Sequence, residues 1–143
     1  MKLSSLLIGM LFAVAVIAVL LMVFGVSFHR PLPAQGAALY NSANEVVIKG
    51  VVDKVVEFAC PVGEGEMGQH LLLRTGNGIV QVHLAPARIM RSQNLSFAPG
   101  DQIEVVGAKF RFHGSDDLIA REIVRGNESF IFRDSQGKLL MMQ

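Results

Sequence analysis

The sequence predicts an all-β fold, a five-stranded Greek-key barrel with a short helix between strands 3 and 4. Two features of residues 46–143 predict it. Runs of β-branched and aromatic residues, each of strand length, are separated by Gly, Pro and Asn, and only one short segment has a helical period. Strands do not alternate with helices along the chain, so a parallel sheet is not expected.

An apolar segment precedes the barrel. Leu6 to Phe28 is a run of 23 residues without a charge, and a bilayer-spanning helix needs about 20. We therefore expect residues 1–30 to form an N-terminal transmembrane anchor; a cleaved signal sequence is the alternative. Lys2 and the amino terminus before the run, against Arg30 after it, favour a single-pass protein of the bacterial inner membrane with its domain in the periplasm.

The first strand follows a linker. Residues 31–45 contain two prolines, small residues and amides, which give little to bury. The β-branched segment Val46–Ala59 then predicts a long strand, and Gly50 inside it marks a bend of the kind that lets a first strand curl into a barrel. Residues 46–143 are thus the predicted barrel domain.

The centre of the predicted barrel is a hairpin over residues 69–86. Two β-prone runs flank Gly76-Asn77, residue types that tolerate the positive φ of tight hairpin turns. A turn there places Leu71 opposite Val82 on the core face and His70 opposite His83 on the other face. The apolar pattern supports this register, because a slip of one residue would turn the wrong side chains inward.

The remaining elements complete the barrel. Pro86 ends the hairpin, residues 87–95 predict a short helix with Ile89 and Met90 facing the core, and residues 102–112 and 117–124 predict two further strands. An extra C-terminal hairpin over residues 129–142 either covers a barrel end or extends a sheet. Five strands with a helix between the third and fourth give the order of the OB-fold.

Charge and motifs limit the function. Without Lys2 and Arg30, the chain has 11 Lys and Arg against 12 Asp and Glu, which is unlike the basic field of a nucleic-acid binder. It contains no Ser-centred elbow, phosphate loop or His-Glu-x-x-His motif. We therefore expect a non-enzymatic binding module, and the sequence identifies no cofactor.

The sharpest candidate site consists of Cys60, His70 and His83. The hairpin register brings the two imidazoles to opposed positions, and Cys60 ends the strand that leads into the hairpin. Thiolate and imidazole suit zinc or copper, and Met67 or Met90 would add a thioether for copper(I). A buried, inert Cys60 and a solvated pair of histidines are the alternative.

Two further sets of residues are candidate sites. His113 precedes Asp116 and Asp117 in a turn, where it would either titrate near neutral pH or be an inert surface group. A single-strand nucleic-acid surface would combine cations with Phe58 or Phe110 as stacking platforms. The cations of that surface would be Arg74, Arg88, Arg91, Arg111 and Arg121.

Several short stretches carry a family resemblance. They are Gly50–Val52, Gly68–Leu73, Val82–Pro86, Gly100–Gly107, Ile119–Ile123 and Phe132–Gly137. Over roughly residues 46–138 the chain resembles a group of uncharacterised, exported or membrane-anchored bacterial OB-fold proteins. This resemblance implies the fold and little about activity.

The layout is also similar to the haem chaperone of cytochrome c maturation, which has one anchor, a linker and a periplasmic OB barrel. That family attaches haem through a histidine of a His-x-x-x-Tyr motif after a strand like Leu118–Val124. The stretch at that place here, Arg125–Ser129, has no histidine, and no tyrosine follows it. The similarity therefore implies topology and no covalent haem.

These observations predict a membrane-tethered, non-enzymatic OB-fold module facing the periplasm. Its expected partners are the lipid bilayer, through residues 6–28, and another membrane or periplasmic protein, to which it would be an accessory or assembly subunit of a redox or envelope complex. A metal or haem handling protein that uses Cys60, His70 and His83 is the alternative. A single-strand nucleic-acid binder is the second alternative.

Overall fold

The computed structural model describes residues 39–59, 62 and 65–140, together with Ala13. The elements below belong to the unit formed by residues 32–143. Within the described part of the chain, no helix combines the length and the apolar character needed to cross a membrane. The predicted anchor Leu6–Phe28, most of the linker and Cys60 lie outside the described residues, apart from that one alanine of the anchor.

The described chain forms six strands and one short α-helix. A 3-10 turn, Ser42–Asn44, precedes the first strand. The elements are β1 (Glu45–Ala59), β2 (Met67–Thr75), β3 (Gly78–Pro86), α1 (Ala87–Ser92), β4 (Gln102–Phe112), β5 (Ser115–Arg125) and β6 (Glu128–Ile131). These bounds agree closely with the predicted strands, and the helix is shorter than expected.

The strands close into a barrel of OB-fold topology. Their order is β3-β2-β1-β4-β5-β6, and a parallel contact between β3 and β5 joins the two sides, pairing Val82 with Leu118 and His83 with Ile119. Every other neighbouring pair is antiparallel. This strand order, with α1 between β3 and β4 in the chain, confirms the predicted Greek-key barrel.

The long first strand serves both halves of the barrel. Residues 45–51 pair with β4, and residues 51–59 pair with β2. Gly50 lies at the bend, where a Cβ atom would come within 2.5 Å of the Arg74 carbonyl oxygen. The close approach of the two backbones therefore requires glycine, as the sequence indicated.

The central hairpin has the predicted register. Leu71 pairs with Val82, and His70 pairs with His83. The turn differs from the expectation in one respect: φ is positive only at Gly78, which follows the two turn residues. The Thr75 hydroxyl accepts a hydrogen bond from the Asn77 amide, so this side chain holds the turn without positive φ at Gly76 or Asn77.

The helix ends at a Schellman motif. Asn94 takes a positive φ of 51°, its amide bonds the Arg91 carbonyl, and the Leu95 amide bonds the Met90 carbonyl. This early stop explains why α1 is shorter than the predicted segment. Ile89 and Met90 are buried as predicted.

The barrel interior is the main core. It contains inward-facing residues of every barrel strand, including Leu71, Leu73, Val82, Val105 and Ile123, none of which is exposed to solvent. Burial of a side chain of this size stabilises a fold by about 1.5–3 kcal/mol. The interior is thus the principal source of stability, as the alternating pattern predicted.

The C-terminal hairpin is only partly formed among the described residues. β6 pairs with β5 and extends the sheet, and the following turn, Asp134–Gly137, returns the chain to a single bridge between Arg133 and Leu139. Phe132 enters the barrel core and is fully buried. This segment therefore both extends a sheet and closes one end of the core.

The residues before β1 are fixed against this last turn. Tyr40 is buried, and a Cβ atom on Gly137 would collide with the Tyr40 Cβ atom. The Tyr40 hydroxyl donates to Glu45, which also accepts a hydrogen bond from Arg121 Nε at 2.8 Å. Burial, the first cause, and the hydrogen bond with Glu45 raise the pKa of Tyr40 to about 12.

Candidate functional site

The two hairpin histidines lie on the outer face of the barrel, and neither is solvated. His70 is 0% exposed and His83 1% exposed. The interpretation of a solvated histidine pair is therefore wrong. The rings lie 4.5 Å apart between centroids in an edge-to-face arrangement.

Aromatic side chains of β4 cover this face. A bulge in β5 leaves Arg121 without a partner in β4, and next to it a Cβ atom on Gly107 would meet the Ile119 carbonyl oxygen at 2.5 Å. Phe110 and Phe112 lie on the side of β4 opposite to its core residues, and their rings contact the His83 ring at 4.9 and 5.2 Å between centroids. Phe110 thus packs against a second, smaller apolar cluster on the outer face.

His83 is held by a buried carboxylate. Its Nε2 atom lies 2.9 Å from Asp117 Oδ2, and Asp117 is 2% exposed. Because an ionised carboxylate can only accept, Nε2 carries the proton. Gln81 donates to the same oxygen at 2.8 Å, and Ser115 Oγ lies 2.8 Å from Oδ1. We call His70, Gln81, His83, Ser115 and Asp117 the imidazole cluster.

His70 is the unusual member of the imidazole cluster. Its ring stacks on Phe58 at 3.8 Å between centroids, and neither ring nitrogen has a hydrogen-bond partner of normal geometry among the described residues. Carbonyl groups of Val56 and Gly68 lie near the ring and favour its protonated form. A buried polar group without a partner costs stability, and a functional role is one explanation for its presence.

Both imidazoles are neutral at pH 7. Burial first, and then the charge of a protonated His83, lower the pKa of His70 to about 4. Burial also lowers the pKa of His83, against the opposing hydrogen bond to Asp117, and the positive charge of Arg133 lowers it further. Neutral imidazole is the form that binds metal ions.

A small cavity adjoins the two histidines. Its volume is about 10 Å³, at the lower limit for one water molecule. His70, His83 and the buried Arg133 line it, together with Val62 and Pro86. No pattern in the sequence marked Arg133, whose burial depends on the way the C-terminal segment packs.

The predicted metal site is only partly described. The structure brings His70 and His83 together as expected, but Cys60 lies outside the described residues. Met67 is half-exposed and Met90 lies in the barrel core. Within the described segments, no group of three His, Cys, Asp or Glu residues is arranged to hold a metal ion.

His113 does not meet the carboxylate suggested for it. It is exposed in the β4–β5 turn, with a positive φ of 46°, and its ring contacts Phe112. Asp117 instead binds His83, which is 34 residues away in the chain. This long-range partner could not be read from local spacing.

The five arginines of the predicted nucleic-acid surface all have carboxylate partners. The pairs are Arg74–Asp53, Arg88–Glu66, Arg91–Glu57, Arg111–Asp116 and Arg121–Glu45. Phe58 and Phe110 pack against the histidines, so their rings do not form a free stacking platform. Paired arginines give a nearly neutral surface, which lacks the cationic groove of a single-strand binder.

A second feature lies at an open end of the barrel. A groove of about 520 Å³ runs along β1 and is bounded on the other side by the β2–β3 turn. Its floor consists of Val46, Ile48, Val80 and Leu118, which belong to or pack against the core. We call it the β1 groove, and Lys109 stands at its rim.

Similarity to solved structures is limited. A chain of the S. pombe Stn1–Ten1 complex matches at 17% identity and a TM-score of 0.46, and the match covers 59% of each chain. The second OB-fold domain of replication protein A from Methanococcus maripaludis matches at 20% identity and a TM-score of 0.41, covering 59% of this chain and 85% of that domain. At these values neither similarity bears on function.

Sequence comparison is more informative. No curated protein matches the chain. A family model does match, over residues 44–130, which include every described strand from β1 to β5 and most of β6. This span is more than half of the chain. The protein therefore belongs to the MamS/MamX magnetosome protein family.

Proposed function

We propose that the protein is a membrane-tethered, non-enzymatic OB-fold module that docks another protein at the magnetosome. The family supports the magnetosome association, and the apolar run Leu6–Phe28 supports the tether. The module acts as an accessory or assembly subunit of a membrane complex, with its barrel on the periplasmic side.

The observation that carries the proposal is the contrast in access between the two features of the barrel. The imidazole cluster is sealed, so a substrate would not reach its His83–Asp117 pair without movement of the phenylalanines around it. The β1 groove is open, has an apolar floor, and has the volume of a typical binding site. A closed polar cluster together with an open apolar groove elsewhere on the barrel favours binding over catalysis.

The test uses the full chain in the bacterium that encodes it. Extraction of the magnetosome fraction in mild detergent, followed by sizing, is expected to give a complex well above the 15.5 kDa of the chain. A variant that lacks residues 6–28 is expected to leave the membrane fraction. Recovery only as a free monomer, or in a fraction without magnetosomes, would overturn the proposal.

A second candidate function is metal handling by His70 and His83 with Cys60. The observation that favours it is the buried, neutral His70 ring, whose two nitrogens have no hydrogen-bond partner among the described residues. Neutral imidazoles with a thiolate suit zinc or copper.

Metal content of the purified full chain tests this candidate. We expect bound zinc or copper to be lost in His70→Phe and Cys60→Ala, and to be retained in His113→Asn, which changes an exposed histidine. Equal metal content in the wild type and all three variants would exclude the site. The docking function does not depend on this result.

A further inference from the structure

The β1 groove follows the edge of a strand and not its face. Four consecutive residues, Val46 to Lys49, line it. Because successive side chains of a strand point to opposite faces, consecutive residues line one groove only when the strand's backbone edge borders it. The turn residues Thr75 to Asn77 form the opposite bank.

This edge of β1 has no neighbouring strand among the described residues. Residues 45–50 pair only with β4, whereas β2 pairs with β1 from Val51 onwards. β1 has 15 residues and β2 has nine, so β2 ends before it covers the whole of β1. The groove occupies the place that a longer β2 would fill.

The β1 edge is unlike the other edge of the sheet. β6 has four residues, and a short edge strand is a common protection against unwanted pairing. The part of the β1 edge without a neighbouring strand is longer, about 20 Å at about 3.4 Å per residue. Val47 in this part is 59% exposed to solvent. Long, apolar edges of this kind accept an additional strand.

We propose that the β1 groove binds an extended segment of a partner protein, which adds to the barrel as a strand beside β1 in line with β2. This inference rests on the proposed docking function and names its mode. About five or six residues of the segment would pair with β1, and alternate side chains would lie on the floor formed by Val46, Ile48, Val80 and Leu118.

Charge gives the segment a further property. Lys49 is paired with Glu104, and Asp116 with Arg111, whereas Lys109 has no carboxylate partner in the described part of the chain. Lys109 lies opposite Leu118 in the β4–β5 ladder, and Leu118 belongs to the barrel core. The bound segment therefore has apolar side chains on its inward positions and one carboxylate near Lys109.

A single strand fits this place better than a second copy of the barrel. The opposite bank is the β2–β3 turn, which limits the groove on the side away from β1. An edge strand of a second barrel would bring its own neighbouring strands into that turn. A flexible extended segment carries no such neighbours.

Synthetic peptides test the proposal on the full chain in detergent. The probe is acetyl-Thr-Val-Thr-Glu-Thr-Val-Thr-amide with a fluorescent label, and its comparison peptide has Lys in place of Glu. We expect the Glu peptide to bind at least about tenfold more tightly by anisotropy at low salt, because an ion pair in a partly desolvated groove contributes on this order. Lys109→Glu is expected to reverse this preference, and Lys54→Glu, on β1 but outside the groove, to leave it unchanged.

Backbone methylation distinguishes strand addition from simple apolar binding. In a strand, only alternate amides point toward a given neighbour. Methylation of one alternate set of peptide amides should abolish binding, and methylation of the other set should change it less than about threefold. Equal effects of the two sets, or no binding of either peptide at millimolar concentration, would overturn the proposed mode.

Two further outcomes separate the failures. In one outcome, the complex in the magnetosome fraction forms in equal amount in Val47→Glu and Ile131→Glu. In that case the protein docks a partner, but the β1 groove is not the docking site. Ile131 is a matched control, since it is 52% exposed on the β6 edge. If the purified chain is a dimer that Val47→Glu dissociates, the occupant is a second copy and the inference is wrong.

Discussion

The β2–β3 hairpin contributes to two regions of opposite character. Its base supplies His70 and His83 to a cluster that is sealed from solvent, and its tip borders the open β1 groove. Both regions contain residues with clear polar or apolar patterns, so residue type alone does not determine which region is closed. The difference comes from what other parts of the chain place over each region.

The sealed region depends on the close approach of β4 and β5 at Gly107, next to the β5 bulge, and this gives the largest expected effect. In Gly107→Val the new side chain meets the backbone of Ile119, which cannot move without breaking the ladder. We expect a loss of about 4 kcal/mol in the free energy of unfolding, measured by urea denaturation. Gly76→Ala is the control, because nothing lies within 4 Å of its added Cβ atom; equal losses in both variants would contradict this account of the contact between β4 and β5.

Acid is expected to destabilise the folded chain through protonation of His70 in the sealed region. In the unfolded chain His70 is protonated below its ordinary pKa of 6.5, whereas in the folded chain the pKa of His70 is about 4. Stability is therefore complete above pH 6.5 and decreases as the pH falls to 4, by about 3 kcal/mol from this group.

The difference between variants isolates this effect. His70→Phe is expected to flatten the dependence of the melting temperature on pH between 6.5 and 4. His113→Asn should retain it, since Asn tolerates the positive φ of that turn. A pH profile of His70→Phe that is the same as the wild-type profile would show that the histidine is not the titrating group.

Asp117 and Asp116 are adjacent carboxylates in different regions. Asp117→Ala leaves the buried Nε2 proton of His83 and the amide of Gln81 without an acceptor, which is expected to cost about 2 kcal/mol. Asp116→Ala removes one exposed ion pair with Arg111 and should cost less than about 1 kcal/mol. Thermal unfolding of the two variants measures the difference, and equal costs would argue against a special role of the buried carboxylate.

The smallest effect is expected where the hairpin becomes part of the groove. Val80→Ala removes two methyl groups from a half-buried position and should cost about 1 kcal/mol. Val82→Ala, at a fully buried position two residues further along the same strand, should cost at least about twice as much. A larger loss for Val80→Ala in urea denaturation would mean that the groove is closed in solution.

The sequence predicted features that follow from strict alternation. The hairpin register, the strand bounds and the barrel order all follow from alternation and turn residues, and each is found in the structure. Alternation is kept along β4, where Phe110 and Phe112 lie on the face opposite to Val105 and form part of the second layer. It is broken in β5, where Ala120 faces the core before the bulge and Ile123 faces it after the bulge. A bulge shifts the alternation by one residue, and the residue types of β5 do not mark its place.

The candidate site was less predictable than the fold. His70 and His83 lie on the strand face opposite to Leu71, which suggested contact with water. Polar residues indicate which face of a strand is turned away from the main core. They do not indicate whether a second layer of side chains covers that face. The partner of His83 lies in another strand, and the burial of Arg133 depends on the C-terminal segment. The β1 groove arises because β2 is shorter than β1. Only the register between the two strands shows which part of β1 is left without a neighbour.

The contact between Tyr40 and Gly137 brings the beginning and the end of the described domain together. A short loop from residue 140 back to residue 39 would join them without crossing the barrel, while the chain is opened elsewhere. The Gly126-Asn127 turn between β5 and β6 is exposed and suitable for the new termini. The barrel is thus a natural subject for circular permutation, in which the domain would begin and end at the β5–β6 turn while every strand pairing is kept.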